Sequence, residues 1–313
     1  MRQVGLWLVP NQDWPIRYPE IRVERRAEFA GDIQVQPCGA TRLVESGSTC
    51  RRAFRARGRD NGTVPTYRDE AVVLRTHKLG EADRIITLLT RSHGKVRAVA
   101  KGVRRTSSKF GGRLEPFTHV DLQLATGHSL EVITQAVTLH AYAEPLGQDY
   151  ERYTTGEVMI EAAERLVAEE GQPALRQYQL LLGALQALTA GTQDGPRPPT
   201  MVMDAYLLRA ISLAGYAPNL TDCARCGAPG PHEAFSPVLG GVVCRHCRPP
   251  GSAMADPAVV DYLGALLGGD WVATREVSPV TIRRGSGLVS AFVSWQLERG
   301  LRTLRYVERD AQP

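Results

Sequence analysis

Apolar and polar positions follow one rhythm in the first half of this chain and another in the second. Between Tyr67 and about residue 144 the apolar residues tend to alternate. Val96, Ala98 and Ala100 do so in one run, and Val120, Leu122 and Leu124 in another. A period of two places every second side chain on the same face of a strand. Five runs carry this signature or a β-rich composition: Ala71–Thr76, Arg84–Arg91, Lys95–Ala100, His119–Ala125 and Leu130–Val137. Turn residues separate them at Gly80, His93–Gly94, Gly111–Gly112 and Gly127–His128. Short, closely spaced strands of this kind predict a small barrel of the OB (oligonucleotide-binding) type. Strand pattern alone fits any small antiparallel sheet as well.

From about residue 147 the spacing becomes helical. Ile160, Ala163, Leu166 and Val167 fall on one face of a predicted helix over Glu157–Glu169. Leu175, Tyr178, Leu181, Leu182, Leu185 and Leu188 stripe a second, and the stretch Gly191–Pro199 breaks it. A third runs from Thr200 to Ala214, with Met203, Leu207, Ala210 and Ile211 inward. Two more are expected near Pro257–Leu267 and Ser286–Arg302, the last with Leu288, Ala291, Phe292 and Trp295 along one side. Such stripes predict a helical bundle. The fold class is therefore multidomain α+β, with a barrel over 67–144 and a helical domain over 145–313. Residues 1–66 show neither period. They read as a disordered extension, or as upstream sequence taken in by a misplaced start.

Composition sharpens this in two places. Net charge is +5, but the segment from Arg91 to Arg113 holds eight basic residues and no acid. They are Arg91, Lys95, Arg97, Lys101, Arg104, Arg105, Lys109 and Arg113, and they include three of the chain's four lysines. Like charges repel, so a strand and loop of one sign favour an anionic partner over a merely solvated face. A nucleic-acid backbone is the expected one. Lys95, Arg97, Lys101, Arg104, Arg105, Lys109 and Arg113 are the candidate phosphate contacts, with Arg84 on the preceding strand a further one. Phe110 and Phe117 offer themselves as stacking partners for bases. Six such contacts to a single strand would give a slope of log K against log salt of roughly −4.

The second place is the sequence Cys223-Ala-Arg-Cys226, then 17 residues, then Cys244-Arg-His-Cys247. Paired knuckles at this spacing predict a zinc ribbon at 221–250, with all four thiolates closing the shell of one structural ion. Two disulfides would need an oxidising compartment, and a catalytic zinc would need an open position. No apolar run approaches the ~18–20 residues that span a bilayer, and the first residues do not have the plan of a signal peptide. A cytoplasmic protein with no membrane partner is expected. The sequence contains no G-x-x-x-x-G-K-[ST] phosphate loop, no H-E-x-x-H and no carboxylate cluster, so a binding protein is predicted and not an enzyme.

With these features in place, the chain from Tyr67 to about Val307 resembles the bacterial RecO recombination-mediator and DNA-annealing family. The resemblance is carried by Tyr67-Arg-Asp-Glu-Ala-Val-Val-Leu74, Gly80 to Ile86, Gly94-Lys95, Ala100-Lys-Gly-Val-Arg-Arg105 and Leu114-Glu-Pro-Phe117. It continues through Asp204-Ala-Tyr-Leu-Leu-Arg209 and Gly215-Tyr-Ala-Pro218. It implies an OB domain followed by a helical domain with a zinc ribbon. It also implies binding of single- and double-stranded DNA, annealing without nucleotide hydrolysis, and work beside the nucleoid. The implied partners are RecR, the tail of the single-strand-binding protein and, indirectly, RecA. The rivals are a generic nucleic-acid-binding OB module, a zinc-stabilised scaffold whose basic strip meets an acidic protein, and an enzyme whose site is assembled from distant residues.

Overall fold

A computed structural model describes residues 64–298 and 300–307. The 1–66 extension lies almost wholly outside these residues, as do Cys38, Cys50 and Arg299. The first five strands are β1 (Thr66–Leu79), β2 (Asp83–Thr90), β3 (Gly94–Ala100), β4 (Thr118–Ala125) and β5 (Glu131–Ala141). They close into a barrel in the order β1-β2-β3-β5-β4. All neighbours are antiparallel except β3 and β5, which meet in parallel through Ala98–Glu131 and Val99–Val132. This is the OB arrangement, with a short seam where the barrel nearly opens.

The interior is filled by Ala71, Val73, Ile86, Leu88, Ala98, Ala100, Val120, Leu122, Leu124 and Ile133. The expected alternation is visible in β3 and β4. Strand β1 differs. Ala71 and Val73 face the barrel interior, whereas Val72 and Leu74 join the helical core. A strand buried on both faces reads as one apolar run, which is why Ala71–Leu74 shows no alternation.

The helical part comprises α1 (Ala143–Gly147), α2 (Tyr150–Leu166), α3 (Leu175–Ala190), α4 (Pro199–Leu213), α5 (Pro257–Gly268) and α6 (Pro279–Gln296). Helix α4 is central and packs on α2, α3, α5 and α6. Two helices start earlier than their apolar stripes suggest. Asp149 caps α2 by accepting from the Arg152 N–H. Its first turns then bury Thr154, Thr155 and Gly156, small residues that carry no apolar signal. Ser278 caps α6 and Pro279 occupies its first turn. The buried line of α6 is Gly285, Leu288, Val289, Phe292 and Val293, while Ala291 and Trp295 are exposed, contrary to expectation.

Between α4 and α5 lies a small sheet of β6 (Ala234–Ser236), β7 (Gly241–Val243) and β8 (Ala253–Met254), in the order β7-β6-β8. Its two faces do different work. Ala234 and Val243 pack against the cysteines, whereas Phe235 and Val242 enter the helical core. The Phe235 ring meets that of Phe292 edge-on, 5.9 Å between centroids. The ribbon is thus an outgrowth of the helical core. All the described residues fall within one compact unit.

Candidate nucleic-acid interface and metal centre

Beyond Arg91, which pairs with Glu70 at 3.5 Å, the basic strip is dispersed by the fold into three groups with different surroundings. The first is Lys95 and Arg97 on β3. Both point outward, as the alternation predicts, but both meet the link between α2 and α3. The Lys95 ammonium donates to the Ala168 carbonyl at 2.7 Å and the Glu164 carbonyl at 3.4 Å. It thereby supplies a cation to the carbonyl-rich end of α2, where the helix dipole favours one. Arg97 Nε donates to Glu170 Oε1 at 2.5 Å. Arg84 is similarly engaged, since its Nη1 lies 2.6 Å from Glu115 Oε1.

The second group opens the loop between β3 and β4. Lys101, Arg104 and Arg105 are exposed. Arg104 makes only a 3.3 Å contact from its guanidinium to the Gly80 carbonyl, and neither Lys101 nor Arg105 has an ion pair among the described residues. Backbone bonds hold their loop in place. Gly102 N–H donates to Asp83 Oδ1 at 2.7 Å, and Arg104 N–H to the Ala82 carbonyl at 2.9 Å. Three cations thus stand on a fixed platform and form no ion pair among the described residues.

The third group closes the loop. Lys109 donates to the Thr134 carbonyl at 2.7 Å, on β5, and lies over the Phe110 ring at 5.0 Å. Arg113, in the 3-10 turn Gly111–Leu114, donates to the Lys109 carbonyl at 2.6 Å. Both are exposed and retain free N–H donors, but they brace the loop across the barrel mouth.

The two candidate stacking rings are not available. Phe110 is 2% exposed and Phe117 is 1% exposed. Phe110 plugs the barrel interior beside Leu114. Phe117 lies in the helical core with a positive φ of 65°, its N–H on the Val73 carbonyl at 3.1 Å. A Cβ placed on Gly156 of α2 would stand 3.0 Å from its ring. Burying a ring is worth about 2–3 kcal/mol, more than an exposed stacking site would return to the fold.

In the ribbon the four sulfurs all lie within 4.8 Å of one another, with Cys226 and Cys244 3.9 Å apart. Ligands about 2.3 Å from a tetrahedral zinc stand about 3.8 Å from each other, so the spacing fits. Each knuckle is shaped by its backbone. Gly227, at φ 72°, donates to the Cys223 carbonyl at 2.8 Å, and Cys247 N–H donates to the Cys244 carbonyl at 3.1 Å. Burial works against ionising Cys223, but N–H groups of Cys244, Cys226 and Arg225 outweigh it and hold the thiol down at about 6. Hydrogen bonds that the Cys247 thiol donates to the sulfurs of Cys226 and Cys244 push it up to about 12. Four thiolates this close repel unless a cation sits among them, which suits a metal that arrives as protons leave. His232 turns its ring to the Ala228 carbonyl at 2.9 Å and His246 is exposed, so neither joins the sulfurs.

Sequence reading passed over Lys78, the fourth lysine. It is exposed near the end of β1, directly across from Arg84 in the strand register. A β-bulge between Val73 and Arg75 breaks the period of two, so alternation counted from Leu74 does not predict the face of Lys78. The Asp204–Arg209 segment lies in α4 and is structural: Arg209 donates to the Leu266 carbonyl at 2.9 Å and stacks over Trp271.

Comparison with known proteins accords with this architecture. Residues 64–142 match the family described as "Recombination protein O N terminal", and residues 147–305 match "Recombination protein O C terminal". A DNA repair protein RecO of Cutibacterium acnes is 61% identical over 246 residues, covering 79% of this chain and 100% of that protein. Those of a Nocardioides species and Streptomyces coelicolor are 57% and 55% identical, each over 78% of this chain and 99% of the relative.

Proposed function

The chain belongs to the recombination protein O family, and from that premise we propose that it acts in DNA repair and recombination by binding strands. In this reading it holds single- and double-stranded DNA, anneals complementary strands and, with RecR, helps load RecA onto DNA covered by the single-strand-binding protein. It does so in the cytoplasm, at the nucleoid, without hydrolysing nucleotide. The observation that carries the reading is the platform of Lys101, Arg104 and Arg105, exposed and poorly matched by acids on the rim of an OB barrel. No helix among the described residues is long and apolar enough to cross a membrane.

The physics of annealing asks for little more. Two strands repel through their phosphates, and a cationic surface touching both lowers that barrier. Contacts to phosphate carry no sequence, so the bases stay free to pair. With Phe110 and Phe117 buried, the rim offers charge and not stacking. Lys101, Arg104 and Arg105 make the main contacts, with Lys109 and Arg113 beside them. Lys95, Arg97 and Arg84 contribute less, because their charges are spent internally. Cys223, Cys226, Cys244 and Cys247 hold one zinc ion that stabilises the ribbon against the helices. The tail of the single-strand-binding protein docks on the helical part.

Annealing of complementary strands coated with single-strand-binding protein tests the function. The chain should accelerate pairing without ATP. Failure to bind or anneal the coated strands would reduce it to a general nucleic-acid-binding module.

A further inference from the structure

We propose that single-stranded DNA crosses the end of the barrel, over the joined β1–β2 and β3–β4 loops, and that Lys78 is a further phosphate contact on that path. The proposal rests on the DNA-binding reading above and specifies its route. Barrels of this type ordinarily receive a strand across the outer face of β2 and β3 and the loops beside it. Here the protein covers part of that face itself. Gly171 N–H donates to the Lys95 carbonyl at 2.9 Å, and Lys95 and Glu170 form a parallel bridge. The approach at Gly94 is close enough that an added Cβ would lie 1.8 Å from the Gln172 carbonyl oxygen. Lys95 and Arg97 then use their charges on this same segment. A nucleic-acid strand on that face would have to displace the α2–α3 link.

Among the described residues the barrel end carries no such cover. Three bonds fasten its two loops into one surface: Gly102 N–H to Asp83, Arg104 N–H to the Ala82 carbonyl, and the Arg104 guanidinium to the Gly80 carbonyl. Lys78 pairs in register with Arg84, and Arg84 pairs with Ala100, the residue before Lys101. Cross-strand partners share a face, so Lys78 comes to the same rim as the β3–β4 loop. Arg84 is matched by Glu115, whereas Lys78 is exposed and has no ion pair among the described residues. Lys78, Lys101, Arg104 and Arg105 thus border one end of the barrel although 27 positions separate the first from the last. Glu81, exposed in the β1–β2 turn, is the acid a strand on this path would pass.

The test is titration of a labelled single-stranded oligothymidylate with the full-length protein across a series of sodium chloride concentrations. Lys78→Met should lower the steepness of log K against log salt by about 0.7, the share of one single-strand phosphate contact. Glu81→Gln should tighten binding, because an acid beside the phosphates has gone. Lys95→Met should lower the slope by clearly less than Lys78→Met does, because its charge is already spent on the carbonyls at the end of α2. The route is overturned if Lys78→Met and Glu81→Gln leave slope and affinity as they were, or if Lys95→Met produces the loss expected of Lys78→Met. A wild-type protein that bound no oligothymidylate at any salt would instead overturn the DNA-binding reading itself.

Discussion

Glu161 is a carboxylate buried at 4% exposure where α2 meets the C-terminal turn. It accepts from Arg302 N–H at 3.0 Å, Thr303 N–H at 2.9 Å and Thr303 Oγ1 at 2.6 Å, and Arg165 Nη2 lies 3.0 Å away. Burial raises its pKa, but these donors and the Arg165 charge outweigh burial and hold the carboxyl below its ordinary value. A depressed folded pKa gives stability that is present above the unfolded value and lost as pH falls through the folded one. Glu161→Gln should therefore cost about 2 kcal/mol in urea unfolding at neutral pH, and the gap from wild type should narrow on acidification. A gap that held constant into the acid range would contradict this. Its pairing with Arg165 is a local i,i+4 one, but no sequence pattern marks Glu161 as buried, because its Arg302 and Thr303 donors lie about 140 positions away. The cysteines are the opposite case. Their ligand spacing is local, so all four were legible before any coordinates. Cys244→Ser should lose bound zinc and lower the melting temperature while DNA affinity well below that temperature persists. Zinc-to-protein stoichiometry and thermal melting would check this, and full stability without metal would contradict it. Phe110 and Phe117 show the limit of composition: an aromatic in a basic loop looks the same in sequence whether it faces solvent or core.

Among elements, the strands and the helical stripes were readable because each buries a regular face. What escaped were helix starts built from small or capping residues and the second buried face of β1. The docking of the α2–α3 link on β3 also escaped, since a glycine needed for a close approach resembles one needed for a turn. Gly94 and Gly111 separate these meanings. Both have positive φ, 65° and 51°, so a side chain strains both. An added Cβ at Gly111 meets nothing within 4 Å, whereas at Gly94 it strikes the Gln172 carbonyl. Gly111→Ala should cost about 1 kcal/mol, and Gly94→Ala clearly more, because backbone must move as well. Thermal melting of the two variants reads the difference, and equal losses would mean that the link does not press on β3 as described.

At the scale of the molecule, charge and shape had to be read together. The strip of eight basic residues was plain in the sequence, but that Lys95 and Arg97 are engaged internally was decided by the helical part, about 70 residues later. The fold commits Lys95, Arg97 and Arg84 to internal partners and leaves Lys101, Arg104 and Arg105 on the rim. The salt dependence of single-strand binding measures that sorting. Replacing Lys101, Arg104 and Arg105 together with Met should lower the steepness of log K against log salt by about 2, at unchanged melting temperature. A triple variant that keeps the wild-type slope and affinity would place the DNA elsewhere and contradict the account.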